Sequence, residues 1–360
     1  MRLLADQDER DLAAMCRSLL STHAGDDKAL WTALGESGVL GLGIPEEFGG
    51  SGGGWTDLGV FCLEAGRALC PLTVHSTLFA ALAIDVLAGP SSRALWLPGL
   101  TSGTLRASTA LWNPRDAGVL APTVRAAADP RGGWSLSGVT DFVADADSVD
   151  LIVVSAETDY GITVFVVDVA DVADVEVAPL TMMGGHRAGA VTFDGVLVDD
   201  PRRVFRSVTE QDLRRVANAA TALLCLDLVG VGEAVVQRTV EYTRLREQFG
   251  RPIASFQAAQ HLVAQMHIAL SAARLAAHSA VFWIGRGDTA TRETAIARMH
   301  AAKVKQITLD AHQLHGGMGY VLETDLHLFS ERARVLATLG GGADVAAGWL
   351  DAEMDWNRGQ

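Results

Sequence analysis

The stretch Arg246-Glu247-Gln248-Phe249-Gly250-Arg251-Pro252-Ile253-Ala254-Ser255-Phe256-Gln257 lies between two long apolar-periodic segments. Upstream, Val229, Val231, Ala234, Val235, Val240 and Tyr242 recur at helical spacing. Gly250 and Pro252 interrupt that helix, because Gly admits positive φ and Pro has no backbone donor. Ser255 is placed to cap a second helix, which continues through Ala258, His261, Leu262, Met266 and Leu270. The reading is a helix–loop–helix corner that presents Arg246, Phe249 and Gln257. There a guanidinium can pair with a pyrophosphate, the ring can pack on a flat ring, and the amide can donate and accept. Taken alone, an Arg at a helix end more often compensates the helix dipole.

Working outward, the chain has 360 residues, a net charge of −14 and 49 % hydrophobic residues. It is long enough to bury a large core divided over two or three domains. The acidic balance argues against nucleic acid as a partner. No apolar run looks long enough to span a bilayer, and no basic-then-apolar leader opens the chain. Cys16, Cys62, Cys70 and Cys225 have neither metal-ligand spacing nor a CxxC pair, so they read as buried thiols of a cytoplasmic protein.

In order, residues 1–104 read as an N-terminal helical domain, with stripes such as Leu12, Met15, Leu19 and Leu20. Gly41-x-Gly43 lacks a strand–loop–helix unit around it, so a buried turn is expected rather than a dinucleotide loop. Residues 105–207 change texture. Leu151-Ile152-Val153-Val154 and Ile162-Thr163-Val164-Phe165-Val166-Val167 are β-branched runs between Gly, Asp and Pro, the marks of a β domain. Residues 208–360 return to helical periodicity, with long segments at 212–243, 255–285 and 291–314. A fourth starts near Asp325, is broken at Gly340-Gly341-Gly342 and resumes at Ala343. The fold class is therefore α+β.

Tyr242, Arg246, Phe249, Gly250, Ile253 and Gln257 fit the pattern Tyr-x-x-x-Arg-x-x-Phe-Gly-x-x-Ile-x-x-x-Gln, which resembles the signature of the acyl-CoA dehydrogenases. The resemblance extends over nearly the whole chain, and its helices–barrel–helices order is that family's architecture. It implies FAD as cofactor, an acyl-CoA substrate, an electron-accepting flavoprotein and a dimeric or tetrameric assembly. In that family the Arg, Phe and Gln reach across a subunit interface to FAD held by the neighbour. Gln313-Leu314-His315-Gly316-Gly317-Met318-Gly319-Tyr320 resembles the companion Gln-x-x-Gly-Gly-x-Gly-Tyr motif. The resemblance thus implies cofactor contacts from Arg246, Phe249, Gln257, Gln313, Leu314, Gly316 and Gly317. Taken alone, Gly316-Gly317 is a helix C-cap. His312 and His315 share a helical face without an acidic or Cys partner, so no metal site is expected and His315 should bond backbone.

Other positions depart from the family. Its base, a carboxylate that removes the proton next to the thioester, corresponds to Gly341, or in some members to Ala220; neither has a carboxylate. Asp227 and Glu233 on the same helix read as solvated or interface carboxylates, with a displaced-base role as the lesser alternative. Hydroxyl donors to the flavin correspond to Trp112, Gly118, Ala144 and Ala343. Losing one buried donor costs about 1–3 kcal/mol, and losing all four should abolish an ordinary site. The expectation is a base-less subunit, similar to those in actinobacterial heterotetramers of steroid side-chain breakdown, which completes a flavin site on a catalytic partner. The alternative is a self-sufficient homo-oligomer.

Overall fold

A computed structural model describes residues 5–169, 174–205 and 208–354. Among these residues five α-helices come first: α1 (Gln7–Thr22), α2 (Asp27–Glu36), α3 (Trp55–Arg67), α4 (Leu72–Leu87) and α5 (Pro90–Thr101). Asp6 caps α1 in a reciprocal box with Glu9, which satisfies donors that the first turn leaves open. Residues Val74 to Ile84 of α4 are all buried, as expected for a helix apolar on every side. Gly41 and Gly43 lie in a buried turn, not in a nucleotide loop.

Among the described residues eight strands follow: β1 (Ala107–Ala110), β2 (Val124–Ala128), β3 (Trp134–Ala144), β4 (Leu151–Thr158), β5 (Gly161–Asp168), β6 (Val175–Thr181), β7 (Arg187–Val198) and β8 (Val204–Phe205). Their order is β6-β7-β3-β2-β4-β5-β8, with β1 parallel to β4 and β2 also parallel to it; the other pairs are antiparallel. β4 shows the alternation that shapes this region. Leu151 and Val153 join the core of the helices, whereas Ile152 and Val154 join a second core made by the sheet itself. A sheet whose strands bury a core of their own, Leu136, Phe165 and Phe193 included, must curve around it. The expected boundary at 207 falls on residues outside the described ones.

The last third is helical: α6 (Glu210–Leu245), a short hairpin of β9 (Glu247–Gln248) and β10 (Arg251–Pro252), then α7 (Gln257–Gly285), α8 (Thr291–Ala301), α9 (Val304–His315), α10 (Leu326–Leu336) and α11 (Ala343–Met354). The expected continuous helix over 291–314 is two helices. Lys303 N–H bonds the His300 carbonyl and Gln306 N–H bonds that of Lys303, so i→i−3 bonds break the run where no Gly or Pro marks it. Ser255 does not cap α7; its hydroxyl donates to the Pro252 carbonyl at 2.7 Å, and Phe256 holds the cap position. All four cysteines are free and buried, and burial pushes the thiols of Cys16 and Cys70 up to about 12 and that of Cys225 to about 11.

α6 is the axle of the molecule, and α3 lies against it backbone to backbone. A Cβ on Gly66 would sit 2.0 Å from the Asp227 carbonyl oxygen, and one on Gly230 would sit 2.0 Å from that of Leu63. Neither neighbour is a movable side-chain tip. Gly230→Ala should therefore force the two helices apart, at a cost of about 1–3 kcal/mol or more, read as a lowered midpoint in chemical denaturation.

By length and composition α6 and α7 are both apolar enough to cross a membrane, contrary to the sequence expectation. The apolar window of α6 is 78 % buried within the protein, that of α7 only 33 %. The outward side of α7 carries exposed Ile268, Leu275 and Trp283.

Candidate functional site

Two regions carry the residues of interest. The first is the corner at the end of α6. Arg246 is the residue that closes this helix, its N–H bonded to the Tyr242 carbonyl at 2.8 Å, while its own carbonyl accepts from Ile253 N–H at 2.8 Å. The corner is not an irregular loop but a two-residue hairpin. Phe249 (φ +55°) and Gly250 (φ +77°) form its tip, both left-handed as such a tight turn requires. Glycine adopts this conformation freely; phenylalanine is strained in it. The result is a ring held 93 % exposed, touched edge-on by Phe256 at a centroid distance of 6.2 Å. Arg251 lies over Phe256 at 4.2 Å. Arg246 and Gln257 are exposed as well, and the Arg246 side chain has no ion-pair partner among the described residues.

The Gly-rich stretch is tied to this corner through Tyr242. Its ring stacks on His315 at 4.3 Å and its hydroxyl donates to the His315 carbonyl at 3.3 Å. His315 Nδ1–H donates to the Ala311 carbonyl at 2.8 Å, so this histidine bonds backbone. His312 meets Ser330 Oγ at 2.6 Å and stacks on Tyr320. Burial lowers the pKa of both histidines. No group of three or more His, Cys, Asp or Glu is placed to hold a metal ion among the described residues. Gly316 closes α9 with φ +58°, and a Cβ on Gly316 or Gly317 would meet nothing within 4 Å. The backbone there is open to an approaching group. Gln313 is exposed with it, whereas Leu314 is buried at 8 %.

The second region is the junction of α4, β3, α6 and the segment after α10. Trp112, Pro114 and Phe142 line two small adjoining cavities, of about 100 and 150 Å³. Sites for drug-sized ligands run about 300–1,000 Å³. The segment that follows α10 closes one side. Gly340 N–H bonds the Pro114 carbonyl and Ala117 N–H bonds the Gly340 carbonyl, each at 2.8 Å. Arg298, fully buried, donates to the Leu339 and Gly341 carbonyls at 2.5 and 2.8 Å. Gly118 lies under Trp349, whose Nε1–H donates to Asp116 at 2.8 Å. Ala220 and Gly340 line the smaller cavity, and Gly341, the next residue along the chain, is left-handed (φ +104°).

Neither Asp227 nor Glu233 lines either cavity. Asp227 is not a solvated or interface carboxylate: it is fully buried, and Arg332 grips both its oxygens at 2.9 and 2.5 Å. Burial alone would raise its pKa, but the Arg332 charge and hydrogen bonds outweigh that and hold the carboxyl well below the ordinary range. His75 adds a third member, its Nε2 3.0 Å from Asp227 Oδ2. Glu233 is bound by Arg67 and Arg274. Sequence reasoning missed the Asp227–Arg332–His75 cluster, although an acid inside Cys225-Leu226-Asp227-Leu228-Val229 signals a buried partner.

With this geometry in place, comparison with known proteins is direct. The family model "Acyl-CoA dehydrogenase, N-terminal domain" matches residues 7–104, and "Acyl-CoA dehydrogenase, C-terminal domain" matches residues 213–353. Acyl-CoA dehydrogenase IpdE2 of Mycobacterium tuberculosis (strain ATCC 25618 / H37Rv) is 30 % identical over 333 residues, covering 91 % of this chain and 86 % of that protein. A steroid ACAD, the G363A variant of Tcur3481-Tcur3483, superposes with a TM-score of 0.87 at 28 % identity, covering 97 % of this chain and 98 % of its own. The ChsE4-ChsE5 complex from Mycobacterium tuberculosis gives 0.89 at 26 % identity, covering 99 % and 100 %. The chain belongs to the acyl-CoA dehydrogenase family. Its members are FAD-dependent oxidoreductases.

Proposed function

We propose that this chain is a subunit that completes the FAD site of a catalytic partner in a hetero-oligomeric acyl-CoA dehydrogenase. The observation that carries this reading is the contrast between the two regions. Within the chain, Trp112, Ala144 and Ala220 line cavities of only about 100 and 150 Å³, and none of these positions carries a hydroxyl donor or a carboxylate. Of the positions that reach outward, Arg246, Phe249, Gln257, Gln313, Gly316 and Gly317 are exposed, and the Arg246 side chain has no ion-pair partner among the described residues. FAD supplies a hydride acceptor for the α,β-dehydrogenation of an acyl-CoA. Toward a partner's cofactor, Arg246 offers a charge-assisted grip on a pyrophosphate, and Phe249 a face for a flat ring. Gln257 and Gln313 offer amides, and Gly316 and Gly317 offer bare backbone. The exposed apolar side of α7 fits a subunit contact. The heteromeric ChsE4-ChsE5 relative and the steroid ACAD support a partner subunit and a steroid-type acyl group. An electron-accepting flavoprotein then reoxidises the complex.

The alternative, a self-sufficient enzyme with a displaced base, has little support. Asp227 and Glu233 are both neutralised by arginines and set away from the junction cavities. The experiment is to purify the chain alone and together with a co-expressed base-bearing subunit. The expected result is a colourless, inactive chain alone and a yellow complex that reduces a dye with acyl-CoA. Stoichiometric flavin and turnover in the lone chain would overturn the reading.

Restoring the base should fail as well. A Cβ at Gly341 would lie 2.7 Å from Val345 Cγ1 and 3.2 Å from the Arg115 carbonyl oxygen, on a backbone that disfavours side chains. Gly341→Glu is expected to add no activity to the lone chain and to lower its denaturation midpoint, at a cost of about 1–3 kcal/mol from overpacking alone.

A further inference from the structure

A cleft of about 500 Å³ lies between α1, α3 and α7, and it shares no residue with the junction cavities or the cofactor corner. Small-molecule sites occupy about 300–1,000 Å³. α1 and α7 each turn one periodic face to the cleft: Arg10, Ala13 and Arg17 from the first, Arg274, His278 and Phe282 from the second. Val60 and Leu63 of α3 add an apolar floor, and Leu63 is only 7 % exposed. Arg10, Arg17 and Arg274 are exposed, so the cations stand at the mouth.

The charge of this wall runs against that of the whole. The chain carries −14, yet four arginines line the cleft, Arg67 being the fourth. Three glutamates stand against them. Glu64 pairs with Arg17 at 2.8 Å and lies 4.0 Å from Arg67, and Glu233 binds Arg67 and Arg274. Glu9 is engaged at the start of α1, where it accepts from Asp6 N–H at 3.0 Å. Arg10 is left over: it donates to the Ala5 carbonyl at 2.6 Å and to the Gln7 side chain at 3.0 Å, and has no carboxylate partner among the described residues. His278 adds a polar group whose ring nitrogens are neither hydrogen-bonded nor sealed off among the described residues. Burial and the Arg274 charge lower its pKa to about 4, so at neutral pH it offers one N–H and one acceptor without adding charge. One unbalanced cation over an apolar floor matches a ligand with one negative charge and a hydrocarbon arm; a dianion would leave excess negative charge. We propose that this cleft is a binding site for an amphipathic monocarboxylate, its head on the arginine mouth at Arg10 and its arm on Ala13, Val60, Leu63 and Phe282. A guanidinium fork suits a carboxylate, and burial of the arm supplies the apolar part of the affinity. The site belongs to this chain alone and does not depend on the partner-subunit reading.

Octanoate and its uncharged counterpart 1-octanol are suitable probes, titrated calorimetrically into the full chain at neutral pH. Octanoate should bind one site per chain, at least about tenfold tighter than 1-octanol, the scale of one charged hydrogen bond. Arg10→Gln strands no carboxylate and should erase that preference, whereas Arg10→Lys should keep part of it. Ala13→Trp, which fills the cleft from α1 and leaves the arginines in place, should remove binding of both probes. Absent octanoate binding, equal affinities, a preference that survives Arg10→Gln, or binding that survives Ala13→Trp would each overturn the proposal. The flavin absorbance of the co-expressed complex tests the partner-subunit reading separately, so the two ideas fail on different readouts.

Discussion

Asp227→Asn should remove about 3–5 kcal/mol of stability, the cost of stranding one charge of a buried pair. Arg332 is as buried as its partner and donates a third hydrogen bond, to the Cys70 carbonyl at 2.7 Å, so it has no route to water. For a domain whose net stability is about 5–15 kcal/mol, this is a large fraction of the whole. The measurement is the denaturation midpoint of the lone chain. Asp227→Leu combined with Arg332→Met should recover most of the loss, because an apolar pair leaves no stranded charge. A midpoint unchanged by Asp227→Asn would show that the pair does not anchor α10 to α6.

The same pair fixes a pH dependence. The folded Asp227 pKa is depressed, so its contribution is fully present above the unfolded value of about 3.9 and drains away as the pH falls towards the folded one. Native protein should lose stability below about pH 4. The double apolar variant should lose less over that interval.

Arg246→Ala is the second large effect, and it separates function from stability. The side chain has no ion-pair partner in its own chain among the described residues. The denaturation midpoint of the lone chain should therefore stay in place. In the complex, a charged hydrogen bond is worth about 1.5–3 kcal/mol, a factor of about ten to a hundred in affinity. Flavin content of the purified complex should fall accordingly. Arg246→Lys should restore only part of it, because an ammonium lacks the planar fork that grips two phosphate oxygens. Full flavin retention in Arg246→Ala would remove the corner from the cofactor site.

Much of the architecture was legible because long helices repeat their apolar residues many times over, and the β-branched runs of β4 and β5 are unlike anything around them. What escaped was chemistry set by distant neighbours. Asp227 and Arg332 are 105 positions apart, and nothing local says that they meet. Arg298 also looks like a surface cation, yet it is buried beneath the segment that would carry a base. The hairpin tip escaped for another reason. Phe-Gly is not the Asn-Gly or Asp-Gly pair that announces such a turn, so Gly250 read simply as an interruption. The exposed Arg246, Phe249 and Gln257 were legible as a set only through family resemblance; helical periodicity alone gives no hint that their side chains point away from the core.

The tip of that hairpin has a consequence for how the polypeptide fares by itself. A left-handed phenylalanine costs about 1–3 kcal/mol relative to a relaxed residue, and its ring shields almost no surface of its own chain from water. Asparagine or glycine at Phe249 would make the solitary protein sturdier. The native residue is a handicap until some other molecule lies against it.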